Sequence, residues 1–294
     1  MKQLMLVVLS LILSANPTSS QSAATATKEN PFVNSLGMKF VPVPEAKVLF
    51  SIWETRLKDF DAFVTATHRD MGNSMWVSGS DGWKDRPGYN WKKPGFTQGP
   101  DHPVVGVSWN DAVAFCQWLT DTERKESRIT ANQTYRLPTD IEWSAAMGLK
   151  EQSSGTPSDK SSKLKGLYPW GREWPPPKGA GNYAGMDVRT ESWYRGWKPI
   201  EGYTDGFPRT APVGSFAPNN FGLFDLGGNV WEWCEDRFDN KNDWRVLRGG
   251  SWHNYVPNFL LASVRVNDPP DKRSDNNGFR VILAESAVGH LPGL

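Results

Sequence analysis

The first clear periodic pattern along the chain is a set of apolar residues at helical spacing. Leu57, Phe60, Phe63 and Val64 recur every three or four positions, which predicts an amphipathic helix over residues 57–67. One face of such a helix packs on a core and the other meets water.

A second helix is predicted from Ser108 onward. Ser108 and Asp111 are spaced as an N-terminal capping pair, in which each side chain bonds the other residue's backbone N–H. The apolar face that follows consists of Ala112, Phe115, Cys116 and Leu119. We therefore expect the Cys116 thiol to point into the core.

A third helix is predicted after the Arg136-Leu-Pro segment. Thr139 and Glu142 form a T-x-x-E capping box, and Gly148 marks the end of the helix. The core contacts expected from this helix are Ile141, Trp143 and Ala146.

From Trp170 onward, short apolar runs are broken every few residues by Gly, Pro, Asn or Asp. This pattern is typical of turns and short strands, and it predicts strands at 245–248, 261–266 and 279–283. The predicted fold class is α+β with a high share of irregular backbone. Because such backbone makes few ladder hydrogen bonds, its carbonyls need side chains, water or cations as partners.

Residues 1–26 have the order of a secretory signal peptide. Lys2 precedes an apolar run over residues 4–13, and small and polar residues follow. A membrane anchor is the weaker interpretation, because a bilayer of about 30 Å needs roughly 20 apolar residues. Cleavage would leave a mature chain beginning near Thr27, although Ala15 offers a competing site. We expect export to the periplasm, the cell surface or the medium, without a stable membrane span.

About 265 residues then remain, which is one large domain or two small ones. The 27 Gly and 22 Pro are scattered rather than gathered into a linker, which favours one domain. Only the Ser/Lys-rich segment 152–165 resembles low-complexity sequence, and we interpret it as a surface insertion. Fifteen Trp indicate a core built from aromatic side chains.

A net charge of +1 with interspersed signs gives no indication of binding to nucleic acid or to an anionic membrane. The only two cysteines, Cys116 and Cys234, could pair, but they cannot form the dense disulfide framework of a small secreted fold. Nothing in the sequence indicates an oligomeric state.

A series of motifs, taken together in this order, resembles the formylglycine-generating enzyme (sulfatase-modifying factor) family over residues 31–284. The motifs are 34–43 (NSLGMKFVPV), 102–112 (HPVVGVSWNDA), 136–139 (RLPT), 168–171 (YPWG), 219–225 (NNFGLFD), 228–233 (GNVWEW), 248–252 (RGGSW) and 277–280 (NGFR). The resemblance implies an α+β fold with little regular secondary structure, related to C-type lectin folds. We assign this domain to residues 31–286, followed by a tail at 287–294.

The segment 225–232 is a candidate cation loop on its residues alone. It carries a carboxylate at each end and two glycines between them, and hard cations prefer clustered oxygen ligands. An acidic turn with solvated carboxylates is the alternative. The resemblance implies two structural calcium ions, with ligands from side chains and carbonyls. One would be bound by Asp225, Gly228, Val230 and Glu232, and the other by Asn182, Tyr183, Asp205 and Phe207.

Catalysis in that family uses copper held by two thiolates that follow the Gly-Gly-Ser motif. The resemblance places those positions at Asn254 and Phe259, and neither side chain contains sulfur. Soft thiolates suit Cu(I), and an amide or a phenyl ring does not replace them. We therefore do not expect copper, and no catalytic cysteine of the family is retained.

The four histidines, His68, His102, His253 and His290, lack the short spacing that places two imidazoles on one helix face. His253 is a candidate lone ligand or base, with a packing role as the alternative.

Two functions remain open. The first is a calcium-stabilised binding or accessory module for an exported protein, a peptide or a glycan. Its pocket would be lined by Ser251, Trp252, His253, Asn254 and Phe259, near Trp231 and Trp233. Both of these last tryptophans could instead belong to the core. The second is an oxidoreductase-like enzyme that modifies an exported sulfatase or another protein by different chemistry, for which the sequence shows no activated nucleophile.

Overall fold

The computed structural model describes residues 22–151, 154–191, 194, 196 and 198–285. Within them the fold is mixed α/β, with a five-stranded sheet, a four-stranded sheet and a separate hairpin. The helices are α1 (Leu57–Thr67), α2 (Trp109–Lys125), α3 (Asp140–Ala146) and α4 (Pro157–Lys160). The signal-peptide prediction falls almost entirely outside the described residues.

The five-stranded sheet has the order β1-β2-β3-β11-β6 and is antiparallel throughout. Its strands are β1 (Phe32–Val33), β2 (Lys39–Val43), β3 (Val48–Ser51), β6 (Gln133–Arg136) and β11 (Ile282–Glu285). The other sheet has the order β10-β7-β8-β9, with a parallel β10–β7 pair. Its strands are β7 (Trp231–Arg237), β8 (Arg245–Arg248), β9 (Val266–Asp268) and β10 (Asn277–Phe279). The hairpin consists of β4 (Ser74–Gly79) and β5 (Gly82–Pro87).

All three predicted helices are present with the predicted starts. Capping boxes form at Ser108 with Asp111 and at Thr139 with Glu142. Cys116, Trp143 and Ala146 are buried, as expected, whereas Ile141 is only half-buried and belongs to none of the hydrophobic clusters of the described residues. Helices α2 and α3 were predictable because their capping partners lie three residues apart in the sequence.

The prediction of a strand at 261–266 is wrong. Leu261, Ala262 and Val264 are buried, but only Val266 belongs to a strand. The Arg248 guanidinium takes the carbonyls that a neighbouring strand would use, donating to Val264 O at 3.0 Å and Ala262 O at 3.2 Å. A buried side chain therefore replaces the hydrogen-bond ladder here.

The predicted strand at 279–283 is divided between the two sheets. Phe279 ends β10 in the four-stranded sheet, and Ile282 begins β11 in the five-stranded sheet. Between them Arg280 is fully buried and binds Glu232, so the chain changes sheets at this residue.

The segment predicted as a surface insertion packs against the molecule in its described part, residues 154–165. Lys160 forms an ion pair with Asp140, and Ser161 Oγ donates to the Arg265 carbonyl at 3.1 Å. Arg265 itself bridges Asp140 and Glu151. Arg265 and Arg280 are both buried and hold interior carboxylates and carbonyls in place.

The core is aromatic, as the tryptophan content predicted. Phe60, Phe63, Phe115 and Phe279 pack edge-to-face or stacked, with ring centroids 5.4–6.1 Å apart. The largest completely buried side chains include Trp143, Trp233 and Trp252. Among the described residues, none of the helices has the length and apolar character that a membrane crossing requires.

Candidate functional site

The turn after β8 occupies the position where the sequence analysis located the missing thiolates. Gly249 and Gly250 have φ of +95° and +84°, a region that glycine adopts without strain. A Cβ on Gly249 would also lie 3.0 Å from the Leu226 carbonyl oxygen. These two glycines let the chain reverse direction and bury Ser251 directly behind the strand.

Asn254 closes this turn with its side chain. Its Oδ1 accepts hydrogen bonds from Ser251 N at 2.8 Å and from Ser251 Oγ at 3.0 Å. Its backbone N–H donates to the Ser251 carbonyl at 3.0 Å. The first expected thiolate position is therefore taken by an amide that serves the turn.

Among the described residues, no base lies within hydrogen-bond distance of the Ser251 hydroxyl. The hydroxyl donates a hydrogen bond to the Asn254 amide oxygen. Its own oxygen accepts hydrogen bonds from Asn276 Nδ2 at 3.3 Å and from His253 N at 3.4 Å. A nucleophilic serine needs a proton acceptor such as imidazole at hydrogen-bond distance. Ser251 thus has the hydrogen bonds of a structural residue.

Phe259, at the second expected thiolate position, is 48% exposed at the end of a 3-10 turn, Pro257–Phe259. The two cysteines do not compensate. Both are buried as free thiols in different hydrophobic clusters, and burial raises the pKa of each. A protonated thiol is a poor ligand for a soft metal.

Trp252 is completely buried, so its ring does not face a groove. Its Nε1 donates to the Asp275 carbonyl at 3.2 Å, and its ring packs edge-on against Phe96. The Arg209 guanidinium lies 4.7 Å from the Trp252 ring centroid and 5.1 Å from that of Phe96. Trp231 and Trp233 belong to the main hydrophobic core, as the alternative in the sequence analysis held.

A buried carboxylate lies beside this aromatic group. Asp275 accepts Ser78 N at 2.9 Å through Oδ2, and Arg209 Nη1 approaches the same oxygen to 3.7 Å. Its Oδ1 has no hydrogen-bond partner in the part of the chain that the structure describes. Burial raises the pKa of Asp275 to about 7, against the lowering effects of the Ser78 N–H and Arg209.

His253 lies between two aromatic rings, 5.6 Å from Trp83 and 5.3 Å from Trp252. Burial, and then the charge of Arg209, lower its pKa to about 4, so the imidazole is neutral at pH 7. No group of three His, Cys, Asp or Glu side chains is placed to hold a metal ion in the described part of the chain. His253 therefore packs as a neutral imidazole between two indole rings.

The two loops predicted to bind calcium lie directly against each other. Asn229 N donates to the Asn182 carbonyl at 2.9 Å, and a Cβ on Gly228 would lie 2.3 Å from that same oxygen. Trp252 N in turn donates to the Asn229 carbonyl. The first loop therefore contacts the turn at residues 251–254 directly, through the hydrogen bond between Trp252 and Asn229.

The first loop contains a partly unsatisfied carboxylate. Asp225 is buried and accepts a hydrogen bond from Gly214 N through Oδ2 at 2.7 Å, while no described residue bonds its Oδ1. Burial raises the pKa of Asp225 to about 6. Glu232, in contrast, is fully engaged, because Arg280 binds both its oxygens and Trp143 Nε1 donates to it at 3.0 Å.

Glu54 is a third buried acid in this region, and the sequence analysis missed it. It accepts Asn229 Nδ2 at 2.7 Å and Val230 N at 3.2 Å. Burial, and then Asp225 and Glu232, raise its pKa well above the usual value. Three carboxyl groups thus interact with the same buried guanidinium, that of Arg280, and a cation bound among them would favour their ionised forms.

The second loop has a similar free oxygen. Asn182 donates through Nδ2 to the Arg209 carbonyl, whereas its Oδ1 is buried and has no hydrogen-bond partner within the described residues. Asp205 accepts the N–H groups of Tyr183 and Phe207 at 2.9 and 2.8 Å. Burial raises the pKa of Asp205 to about 7. Unsatisfied buried oxygens are rare, and one in each loop fits a cation bound by oxygen ligands.

Glu54, Arg209, Asp275 and Asn276 all escaped the sequence analysis. Glu54 reaches residues more than 170 positions away along the chain, and Asp275 bonds Ser78 across 197 positions. No local spacing carries such contacts, so no pattern could have found these residues.

This chain is similar to known proteins both in sequence and in fold. A family model described as "Sulfatase-modifying factor enzyme 1-like domain" matches residues 46–285. The formylglycine-generating enzyme of Thermomonospora curvata is 33% identical over 226 residues, covering 67% of this chain and 62% of that protein. A Mus musculus protein named inactive C-alpha-formylglycine-generating enzyme 2 is 33% identical over 238 residues, covering 75% and 63%.

The chain spans about three fifths of the length of these relatives. Among solved structures, PvdO from Pseudomonas aeruginosa superposes with a TM-score of 0.50 at 23% identity, covering 81% of this chain and 80% of PvdO. That similarity concerns the fold alone.

Proposed function

We propose that this chain, which belongs to the sulfatase-modifying factor family, acts as an exported accessory module that binds a protein, a peptide or a glycan. It would do so without the copper-dependent oxidation of cysteine. The family and the fold are the premise, and the non-catalytic role is our inference from the site.

One observation carries the proposal. At the position of the first family thiolate, the Asn254 amide oxygen accepts both the N–H and the hydroxyl of Ser251. This arrangement leaves neither a soft ligand for copper nor a deprotonated serine. The alternative enzyme would need a nucleophile or metal centre, and the site offers only a neutral His253 with rings on two sides.

The relatives are compatible with this proposal. Proteins named inactive C-alpha-formylglycine-generating enzyme 2 from Mus musculus and Bos taurus match this chain at 33% and 34% identity. A related protein can therefore carry the fold and still be named inactive. A fold by itself does not determine activity, so the residues of the site decide.

We also propose that calcium stabilises the module. The unpartnered oxygens of Asp225 and Asn182 support one cation at each loop, together with Asp205 and the predicted backbone carbonyls. The engagement of Glu232 with Arg280 makes it the weakest of the proposed ligands, and a cation bound beside Glu54 would favour the ionised form of that carboxyl group. Export is supported by the order of residues 1–26.

The test uses the mature protein purified without chelators. We expect calcium but no stoichiometric copper, and no aldehyde on a cysteine-containing sulfatase peptide supplied with Cu(I) and oxygen. The double variant Asn254→Cys/Phe259→Cys restores two thiols and is the matched control, expected to bind Cu(I). Aldehyde formed by the unmodified protein would contradict the proposal.

A further inference from the structure

A groove between hairpin β4–β5 and the turn after β9 lies outside the site described above. Its volume is about 470 Å³, within the usual range for ligand pockets. Its walls include both indole and charged side chains: Trp76, Asp85, Trp244, Asp268, Asp271 and Lys272. We refer to it as the indole groove.

Two tryptophans present exposed rings to this groove. The exposed fraction is 37% for Trp76 and 43% for Trp244. Exposed indoles retain the large contact area and the single N–H that suit a ligand with one apolar face and one wet edge. Two such rings at one groove offer two contact surfaces to a ligand with an apolar face.

Both rings are mounted on fixed backbone. Trp76 N donates to the Arg273 carbonyl, and Trp76 O accepts from Asp275 N, each at 2.9 Å. Trp244 N donates to Asn242 Oδ1, and its carbonyl accepts from Phe238 N, again at 2.9 Å. Because the backbone is already ordered, binding would cost little conformational entropy.

The polar groups of the indole groove are also positioned in advance. Lys272 Nζ lies 2.7 Å from Asp268 Oδ1 and 5.0 Å from the Trp76 ring centroid. Asp268 is held from the other side by Asn277 Nδ2 at 3.1 Å. The Lys272 ammonium has three donors, so donors remain for a ligand.

Two further carboxylates supply acceptors. Asp85 pairs with Trp76 across the hairpin, and Asp271 lies in the turn that carries Lys272. Neither makes an ion pair with any residue that the structure describes. Their oxygens are free to accept hydrogen bonds from hydroxyl groups.

From this combination we infer that the indole groove binds a neutral oligosaccharide. Sugar rings offer a C–H face to an indole and hydroxyls that both donate and accept at the rim. A basic peptide would meet Lys272 and Arg273, and an acidic peptide would meet Asp85 and Asp271. A neutral hydroxyl-bearing ligand avoids both repulsions. This inference rests on the proposed function and narrows its ligand class.

The experiment uses the mature, calcium-loaded protein, three soluble oligosaccharides (chitohexaose, cellohexaose and mannohexaose) and a Lys/Arg-rich peptide as the competing ligand class. We expect at least one oligosaccharide to bind in isothermal titration. Trp76→Ala and Trp244→Ala should each weaken that binding about fivefold to tenfold, the effect of one lost aromatic contact. Trp174→Ala removes an indole of similar exposure, 41%, outside the groove, and should leave the affinity unchanged.

Trp244 lies just before β8 rather than within a strand, so its variant carries the test if Trp76→Ala fails to fold. Asp271→Asn keeps size and should also weaken binding. The inference is overturned if no probe binds, if Trp76→Ala and Trp244→Ala bind as the unmodified protein does, or if only Lys/Arg-rich peptides bind. Such a result without aldehyde formation would leave the non-catalytic proposal intact.

Discussion

Buried charged side chains in this protein differ in how completely they are paired, and the difference has consequences for stability. Arg280 is enclosed with Glu232, and its Nη2 also donates to the Phe224 carbonyl at 2.7 Å. Asp275 accepts one backbone N–H and lies 3.7 Å from Arg209, and its Oδ1 has no hydrogen-bond partner among the described residues. A satisfied buried charge stabilises the native state relative to its broken pair, whereas an incompletely paired one costs free energy.

Replacing Arg280 with Met should therefore be severe. The change leaves Glu232 buried without its cation, and we expect the free energy of unfolding to fall by about 3–5 kcal/mol. Urea denaturation measures this loss. Arg237→Ala is the control, because it removes an ion pair with Asp243 in which both side chains are more than half exposed. A similar loss in both variants would contradict the prediction.

Asp275 should make stability depend on pH. Its pKa is about 7 in the folded protein and near 3.9 when unfolded, so the unfolded state loses its proton first as pH rises. The free energy of unfolding should fall between pH 4 and pH 7, by at most on the order of 4 kcal/mol from this group.

Asp275→Asn should remove that fall and be more stable than the unmodified protein at pH 8. The measurement is urea denaturation of both proteins from pH 4 to pH 8 in saturating calcium, and the difference between them isolates this group. A pH-independent difference would show that Asp275 titrates normally.

At the scale of secondary-structure elements, local chemistry was readable from the sequence and long-range chemistry was not. Helices α1, α2 and α3 followed from apolar spacing and, in α2 and α3, from capping partners three residues apart. Strand β8 was likewise predicted correctly. The error at 261–266 arose because a side chain distant in sequence, Arg248, binds the carbonyls of that segment.

The candidate site divides in the same way. Its Gly-Gly-Ser turn and the absence of sulfur at Asn254 and Phe259 are local and were predictable. The burial of Trp252 beneath Arg209 and Phe96 depends on packing between distant segments, which no spacing encodes.

Removing the cap of α3 should have a moderate effect. Thr139→Ala removes the hydroxyl that accepts Glu142 N at 3.3 Å, and we expect a loss of about 1 kcal/mol in the free energy of unfolding. Thr156→Ala, at the start of the four-residue α4, is the matched control and should cost less. Equal losses in the free energy of unfolding, measured by chemical denaturation, would mean that the α3 cap stabilises the protein no more than the α4 cap does.

On the scale of the whole molecule, long irregular segments replace a continuous regular framework. Between α4 and β7 the described residues contain a 3-10 turn, Met186–Thr190, and no strand. The two proposed calcium loops lie in or beside this stretch and contact each other through Asn182 and Asn229. A cation at each loop would therefore stabilise the part of the fold with the fewest backbone ladders.

Chelation should lower the melting temperature of the purified protein. Binding to the native state alone stabilises it by about 2.7 kcal/mol when free ion exceeds its dissociation constant 100-fold. Differential scanning calorimetry with EDTA, and then with added calcium or magnesium, measures the effect. A melting curve unchanged across the calcium titration would remove calcium from the proposal.

The crossing of the chain at Arg280 also affects how the protein is made. Residues 277–285 contribute one strand to each sheet, β10 to the four-stranded sheet and β11 to the five-stranded sheet. Strand β6 is hydrogen-bonded to its sheet only through β11. During synthesis neither sheet is complete until this stretch has left the ribosome. A nascent chain must therefore keep its aromatic residues soluble until that late moment, when both sheets close together.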